Sequence, residues 1–161
     1  MSEWRQGEYV ISTDPARVDL AVVHGFLERC YWAKGIPLEV VRRSIEHSLN
    51  FSVWHEPPPG AAPRQVGFAR VITDHATFAY IGDVFVLEAH RGRGLSKWLM
   101  RTIVEHPGLQ GFRLWVLLTR DAHGLYTQHG FEALANPERY MERRTPDAYA
   151  TPAAGAPEPA S

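Results

Sequence analysis

Two rhythms of apolar residues meet near the middle of the chain. From Phe78 to Leu87 (Phe-Ala-Tyr-Ile-Gly-Asp-Val-Phe-Val-Leu) almost every position is apolar, and only Asp83 carries charge. Such a run suits a central strand covered on both faces. Beyond it, Leu95, Trp98, Leu99 and Ile103 recur at helical spacing until His106-Pro107-Gly108 breaks the pattern. Between the two lies a turn of Arg91, Gly92, Arg93 and Gly94.

The same reading extends along the chain. Glu8–Ser12, Asn50–His55 and Gln65–Thr73 read as strands, with Glu56–Pro63 a proline-rich hairpin loop that can be neither strand nor helix. Thr13-Asp14-Pro15 supplies a cap and a first-turn proline for a helix carrying Val18, Ala21, Val22 and Phe26 and running to Cys30. A second helix places Leu38, Val41, Ile45 and Leu49 on one stripe. Phe112–Thr119 is expected as a strand and Asp121–His129 as a short helix stopped by Gly130. Phe131–Leu134 and Arg139–Glu142 can close the sheet as a last pair of strands. Residues 1–144 thus read as a single domain. From Thr145 the chain is mostly Pro, Ala, Gly and Thr, and 145–161 is expected to be a disordered tail.

Composition narrows the function classes. A net charge of −1 gives no global reason to expect nucleic acid or an anionic membrane as partner. The basic residues include only two lysines, Lys34 and Lys97, so positive charge is nearly all arginine. Cys30 is the sole cysteine, which excludes an internal disulfide and leaves a cysteine nucleophile without an identifiable base. The eight histidines are dispersed, and none sits in metal-ligand spacing with a nearby acid, so no metal is expected. With no apolar signal core and no run of membrane-spanning length, a cytoplasmic protein is the default.

A strand, a Gly-rich turn and a helix in that order make an anion cradle, because glycines let backbone approach the ligand and free N–H groups point at it. A P-loop does not fit, since Ser96 and Lys97 come in reverse order after Gly94. A dinucleotide fingerprint loses its third glycine to Lys97. A third pattern fits more of the sequence. Val84-x-Val86, then Arg91-Gly92-Arg93-Gly94-Leu95-Ser96, resembles the acetyl-CoA signature of the GCN5-related N-acetyltransferases (GNAT), Arg/Gln-x-x-Gly-x-Gly/Ala. Thr119-x-x-Ala122-x-x-Leu125-Tyr126-x-x-x-Gly130-Phe131 resembles a second segment of that family, in the right order. Two positions depart from it: Ser96 replaces glycine or alanine, and Thr119 replaces asparagine.

The resemblance implies an α/β (α+β) fold with a mixed, mostly antiparallel sheet of about six to seven strands, helices on both faces and splayed central strands. It implies direct transfer of acetyl from acetyl-CoA to an amine, with no covalent enzyme intermediate. Val84, Phe85 and Val86 would hold the pantetheine and thioester, with Thr119 and Ala122 on the opposite side. Backbone from Arg91 to Ser96, including Leu95, would hold the pyrophosphate with an arginine, Arg91 or Arg93. Tyr126 takes the position of the acid that protonates the departing thiolate, though it also lies on an apolar stripe. Asp83, interrupting the central strand, is the candidate base; the equal alternative is an aspartate satisfied by an arginine or by backbone, with His123, Asp121 and a water relay also open. Tyr31-Trp32-Ala33-Lys34-Gly35 is the conspicuous segment for the acceptor side. A small-molecule amine is favoured over a protein amine. A non-catalytic acyl-CoA sensor is the alternative, and a homodimer is left open.

Overall fold

A computed structural model describes residues 1–150. Six strands form one sheet in the order β1 (Glu3–Gln6), β2 (Tyr9–Ser12), β3 (Leu49–His55), β4 (Arg64–Thr73), β5 (Phe78–Val86) and β6 (Leu114–Leu117). Neighbours are antiparallel except β5 and β6, which run parallel. The parallel pair needs a crossover, supplied by α3 (Leu95–Val104). Two helices, α1 (Leu20–Leu27) and α2 (Leu38–Glu46), lie between β2 and β3 in sequence, and the short α4 (His123–Thr127) follows β6. This is the expected mixed α/β sheet.

Each face of the sheet buries its own apolar cluster. On one, Phe51, Val71, Ala79, Ile81 and Val86 meet Leu95, Leu99, Met100 and Ile103 of α3. On the other, Phe68 and Phe85 meet Val23 and Leu27 of α1 and Val41 of α2. Phe26 stacks on Phe85 with ring centroids 4.0 Å apart. Burial on both sides is why β5 reads as a continuous apolar run.

Several boundaries differ from expectation. β1 has only Trp4 as an apolar signal; it is held by pairing with β2 across a turn in which Gly7 takes φ +58°. The first helix does not start at Pro15. Residues Pro15–Arg17 make one 3₁₀ turn capped by Asp14, and Asp19 then caps α1 by accepting from the N–H groups of Ala21 and Val22 (3.0 and 3.2 Å). It ends at Leu27, short of Cys30. The helix expected over Asp121–His129 is reduced to His123–Thr127.

The closing strand pair is absent among the described residues. Phe131–Leu134 is irregular, and Pro137–Arg139 forms a 3₁₀ turn instead. Neither segment has an apolar face to bury: only Phe131 is even half-buried, and Arg139–Glu142 is exposed throughout. Of the expected tail, residues 151–161 lie outside the described residues. Residues 145–150 include a turn in which Ala150 donates to Asp147 O (2.9 Å), and Tyr149 O approaches Gly35 in the α1–α2 link. Among the described residues, no helix is long and apolar enough to cross a membrane.

Candidate active site

The site is built around one extra residue in β5. Ala79 and Ile81 face the α3 cluster, and so do Val84 and Val86. An odd-numbered rhythm becomes an even-numbered one, so alternation breaks at Gly82 and Asp83. The pairing with β4 shows the same break: Phe68 opposes Phe85, but Arg70 opposes Gly82. Two residues of β5, Asp83 and Val84, therefore face the single Ala69, which defines a β-bulge. Asp83 adopts φ +54°, a left-handed conformation that aspartate tolerates better than most side chains.

At the same point β5 leaves its other neighbour. Its parallel pairing runs from Phe78↔Leu114 to Ile81↔Leu117 and stops there. Among the described residues, Gly82–Val86 has no strand on that side, and the sheet is splayed. Leu87 donates its N–H to Val66 O of β4 (2.7 Å). Since N–H directions alternate along a strand, those of Val84 and Val86 turn away from β4 into the gap. Val84 and Val86 thus offer free backbone to a ligand. Phe85 does not: its backbone is on β4, and its ring is packed on the far face.

The gap opens into a cleft of about 310 Å³ beneath the Gly-rich turn. Its lining includes Val86, Arg91, Gly92, Gly94, Leu95 and Ser96, all expected, together with His90, Lys97 and Leu125, which were not. Gly92 and Gly94 both take φ +74°, so the turn needs glycine for its backbone path. Gly94 caps α3, whose first backbone-bonded N–H is that of Trp98, given to Gly94 O (3.0 Å). The N–H groups of Leu95, Ser96 and Lys97 have no carbonyl one turn back, and they carry the positive end of the helix dipole. Arg91 has a second task. Its Nε donates to Val86 O (2.9 Å), tying the turn to the strand. Arg93 lies outside the cleft lining. A pyrophosphate therefore finds backbone donors, a dipole and Lys97 in place; the cradle fits it.

Tyr126 lies beside this gap on α4, 9% exposed. Burial pushes its phenol above the ordinary range, helped by the nearby Tyr31, Asp121 and Tyr80. Among the described residues its hydroxyl has no hydrogen-bond partner, so the proton is held and unspent. Thr119 caps the approach to α4, its Oγ1 accepting from Ala122 N–H (3.0 Å). Its oxygen thus serves the local turn while its O–H is left to donate, and Ala122 packs against the core.

Asp83 faces the other side of the sheet. Its Oδ2 accepts from Arg70 Nε (2.8 Å) and its Oδ1 from Trp32 Nε1 (3.1 Å). Arg70 in turn donates to Ser48 Oγ (3.2 Å). Of the two equal readings of Asp83, the contacts match the carboxylate satisfied by an arginine, with both oxygens occupied. Arg70 was legible only as a charge inside an otherwise buried strand. The α1–α2 link also reaches across the gap: the Arg120 guanidinium stacks 3.8 Å from the centre of the Tyr31 ring. Tyr31 and Trp32, half-exposed, therefore form one wall between Asp83 and the β6–α4 loop. Among the described residues, no three His, Cys, Asp or Glu side chains converge as a metal site.

Comparison with known proteins agrees with this geometry. Residues 53–133 match the family model described as "Acetyltransferase (GNAT) domain". A crystal structure from Xanthomonas campestris pv. campestris, described as a GNAT-family acetyltransferase by provisional assignment, is 50% identical, with a TM-score of 0.81 over 89% of this chain and 97% of that one. A Gibberella zeae protein provisionally named as an acetyltransferase is 31% identical over 140 residues, 76% of this chain and 78% of its own. A Clostridium acetobutylicum structure described as a predicted acetyltransferase with acetyl-CoA shares the fold at 14% identity, with a TM-score of 0.59 over 84% of this chain and 94% of that one. The chain belongs to the GNAT family of acetyltransferases.

Proposed function

We propose that the protein transfers the acetyl group of acetyl-CoA directly to a primary amine of a small-molecule acceptor. The observation that carries this reading is the continuity of one ligand path: the free edge of β5 at Val84–Val86 leads into the cleft beneath Gly92–Lys97. That path offers backbone to an amide-bearing arm and then helix N–H groups to a diphosphate.

The amine nitrogen attacks the thioester carbonyl from the face where Asp83, Trp32 and Tyr31 stand. The electron pair of the carbonyl moves onto oxygen, where a free N–H of the bulged strand can stabilise it. As the C–S bond breaks, Tyr126 gives its proton to the thiolate. Asp83, already paired with Arg70, orients the acceptor wall, and the amine proton leaves through water. The half-exposed aromatic wall of Tyr31 and Trp32, on which a small cation can stack, favours a small acceptor over a folded protein surface. The decisive experiment is a thiol-release screen over amines, amino acids and peptides. Release of free CoA with a small amine supports the reading; binding of acetyl-CoA with no release across the screen would mark an acyl-CoA sensor instead.

A further inference from the structure

One group in the donor cleft has no part in the scheme above. His90 closes the short turn after β5, immediately before Arg91, and is 5% exposed while lining the cleft. Its Nδ1 lies 2.9 Å from the hydroxyl of Tyr9 on β2, with the two rings edge to face. His55 of β3 packs against both, its ring centre 5.0 Å from that of Tyr9 and 5.1 Å from that of His90. Two strands thus fix the imidazole from one side. Nε2 has no partner among the described residues, and it is not among their buried unpartnered atoms. The ring has one nitrogen held and one presented.

We propose that His90 is a phosphate-binding residue of the donor cleft, offering its Nε2 hydrogen to the diphosphate of acetyl-CoA while Tyr9 holds Nδ1. This rests on the acetyl-CoA reading of the cleft and adds a side-chain donor to the backbone cradle. The chemistry follows from the tautomers. When Tyr9 donates to Nδ1, the neutral ring carries its hydrogen on Nε2; when the ring is protonated, both nitrogens are donors. An anion in the cleft selects these forms.

The surroundings set how binding depends on pH. His90 is faced by Tyr9 from β2, His55 from β3, Arg64 from β4 and Arg93 from the turn, with Arg91 and Lys97 on the cleft rim. Glu8 is engaged with His55 (3.0 Å). Burial and then the charges of Arg64, His55 and Arg93 push the imidazole below its ordinary range. An incoming diphosphate opposes all three charges, so its binding draws a proton to His90 below neutral pH.

The test is calorimetric titration of CoA and 3′-dephospho-CoA into the wild-type protein and three variants. His90→Leu is expected to weaken both ligands about tenfold, the ordinary value of one charge-assisted hydrogen bond. His90→Gln, which retains an N–H donor near Nε2, should stay within about threefold, and Tyr9→Phe should fall between. Equal affinities for wild type and His90→Leu overturn the inference while leaving the acetyl-CoA reading intact. A penalty seen with CoA but not with 3′-dephospho-CoA overturns the diphosphate assignment. Failure of the wild type to bind either ligand brings down the reading itself. Should His90→Leu not fold, ¹⁵N-histidine spectra of the wild type decide: CoA must fix the Nε2–H form of His90, and an unchanged ring signal on saturation would rule it out.

Discussion

Arg70 donates from β4 to Asp83, across 2.8 Å, at the residue that bulges out of β5. The pair is mostly buried, with side-chain exposures of 16% and 12%. Removing one partner leaves the other charged and unpaired. Asp83→Ala is therefore expected to destabilise the fold by about 1–3 kcal/mol. Asp83→Asn tolerates the left-handed backbone but keeps one acceptor oxygen for two donors and leaves Arg70 without a counter-charge, so it should lose stability as well, though less than Asp83→Ala. It should still retain the pH profile of turnover. An acidic limb that disappears in Asp83→Asn would show instead that this carboxylate takes the amine proton.

Tyr126→Phe removes only the hydroxyl. Acetyl-CoA affinity should be nearly unchanged, while kcat falls about 10²–10⁴-fold, the ordinary range for a lost general acid. The sign of the pH effect is fixed by burial. A phenol raised above 10 is protonated through the physiological range, so activity should decline only as pH climbs through that raised value. An alkaline limb that persists in the phenylalanine variant would assign the acid elsewhere.

Gly94→Ala forces a side chain into φ +74° at the cap of α3. The conformational cost is about 1–2 kcal/mol. Because no atom lies within 4 Å of the added Cβ, the effect should be strain rather than collision. Thermal melts should show the loss, and KM for acetyl-CoA should rise as the turn shifts. Gly67→Ala makes the contrast. Its Cβ would meet Phe85 O at 2.9 Å, a backbone atom that cannot move without parting β4 from β5. We expect a loss of about 1–3 kcal/mol there, and a variant as stable as wild type would mean the sheet is looser than it looks.

Three histidines should make the fold acid-sensitive before its carboxylates do. Burial holds His90, His106 and His129 below the ordinary imidazole value of 6.5. The unfolded chain then binds more protons than the folded one as pH falls through 6.5. Stability should therefore decline from pH 6.5 downward and level off once the depressed values are passed. Thermal melts between pH 7 and 5 test this; His106→Gln should flatten the slope, and an unchanged slope would place the proton uptake on other groups.

Much of the site was legible because its physics is local. Gly92 and Gly94 mark a backbone path that few other residues can follow, and the apolar spacing after them announces the helix. The continuous run around Val84–Val86 announces a strand buried twice. What stayed hidden depends on contacts between distant segments. Asp83 interrupting β5 is visible in the sequence, but Arg70 and Trp32, which occupy its oxygens, come from 13 and 51 residues away. His90 reads as one histidine among eight until Tyr9 is brought to it from 81 residues away. The strand pair expected after α4 failed for the opposite reason. Its local pattern was weak, and Arg139–Glu142 has nothing to bury.

The odd-to-even switch in β5 has a consequence for the length of the strand. Remove Asp83, and Ala79, Ile81, Val84 and Val86 would fall into simple alternation on the same face, with Phe85 still opposite. The core would keep every apolar residue it now has, and the ladder with β4 would close without interruption. The alternation of the sheet thus has no use for this residue, although its carboxylate holds Arg70 and Trp32. A shortened chain would make a more regular ladder but would lose that pair and the bulge where β5 leaves β6. Lineages that keep the activity should therefore tolerate substitution at this position far better than they tolerate its deletion.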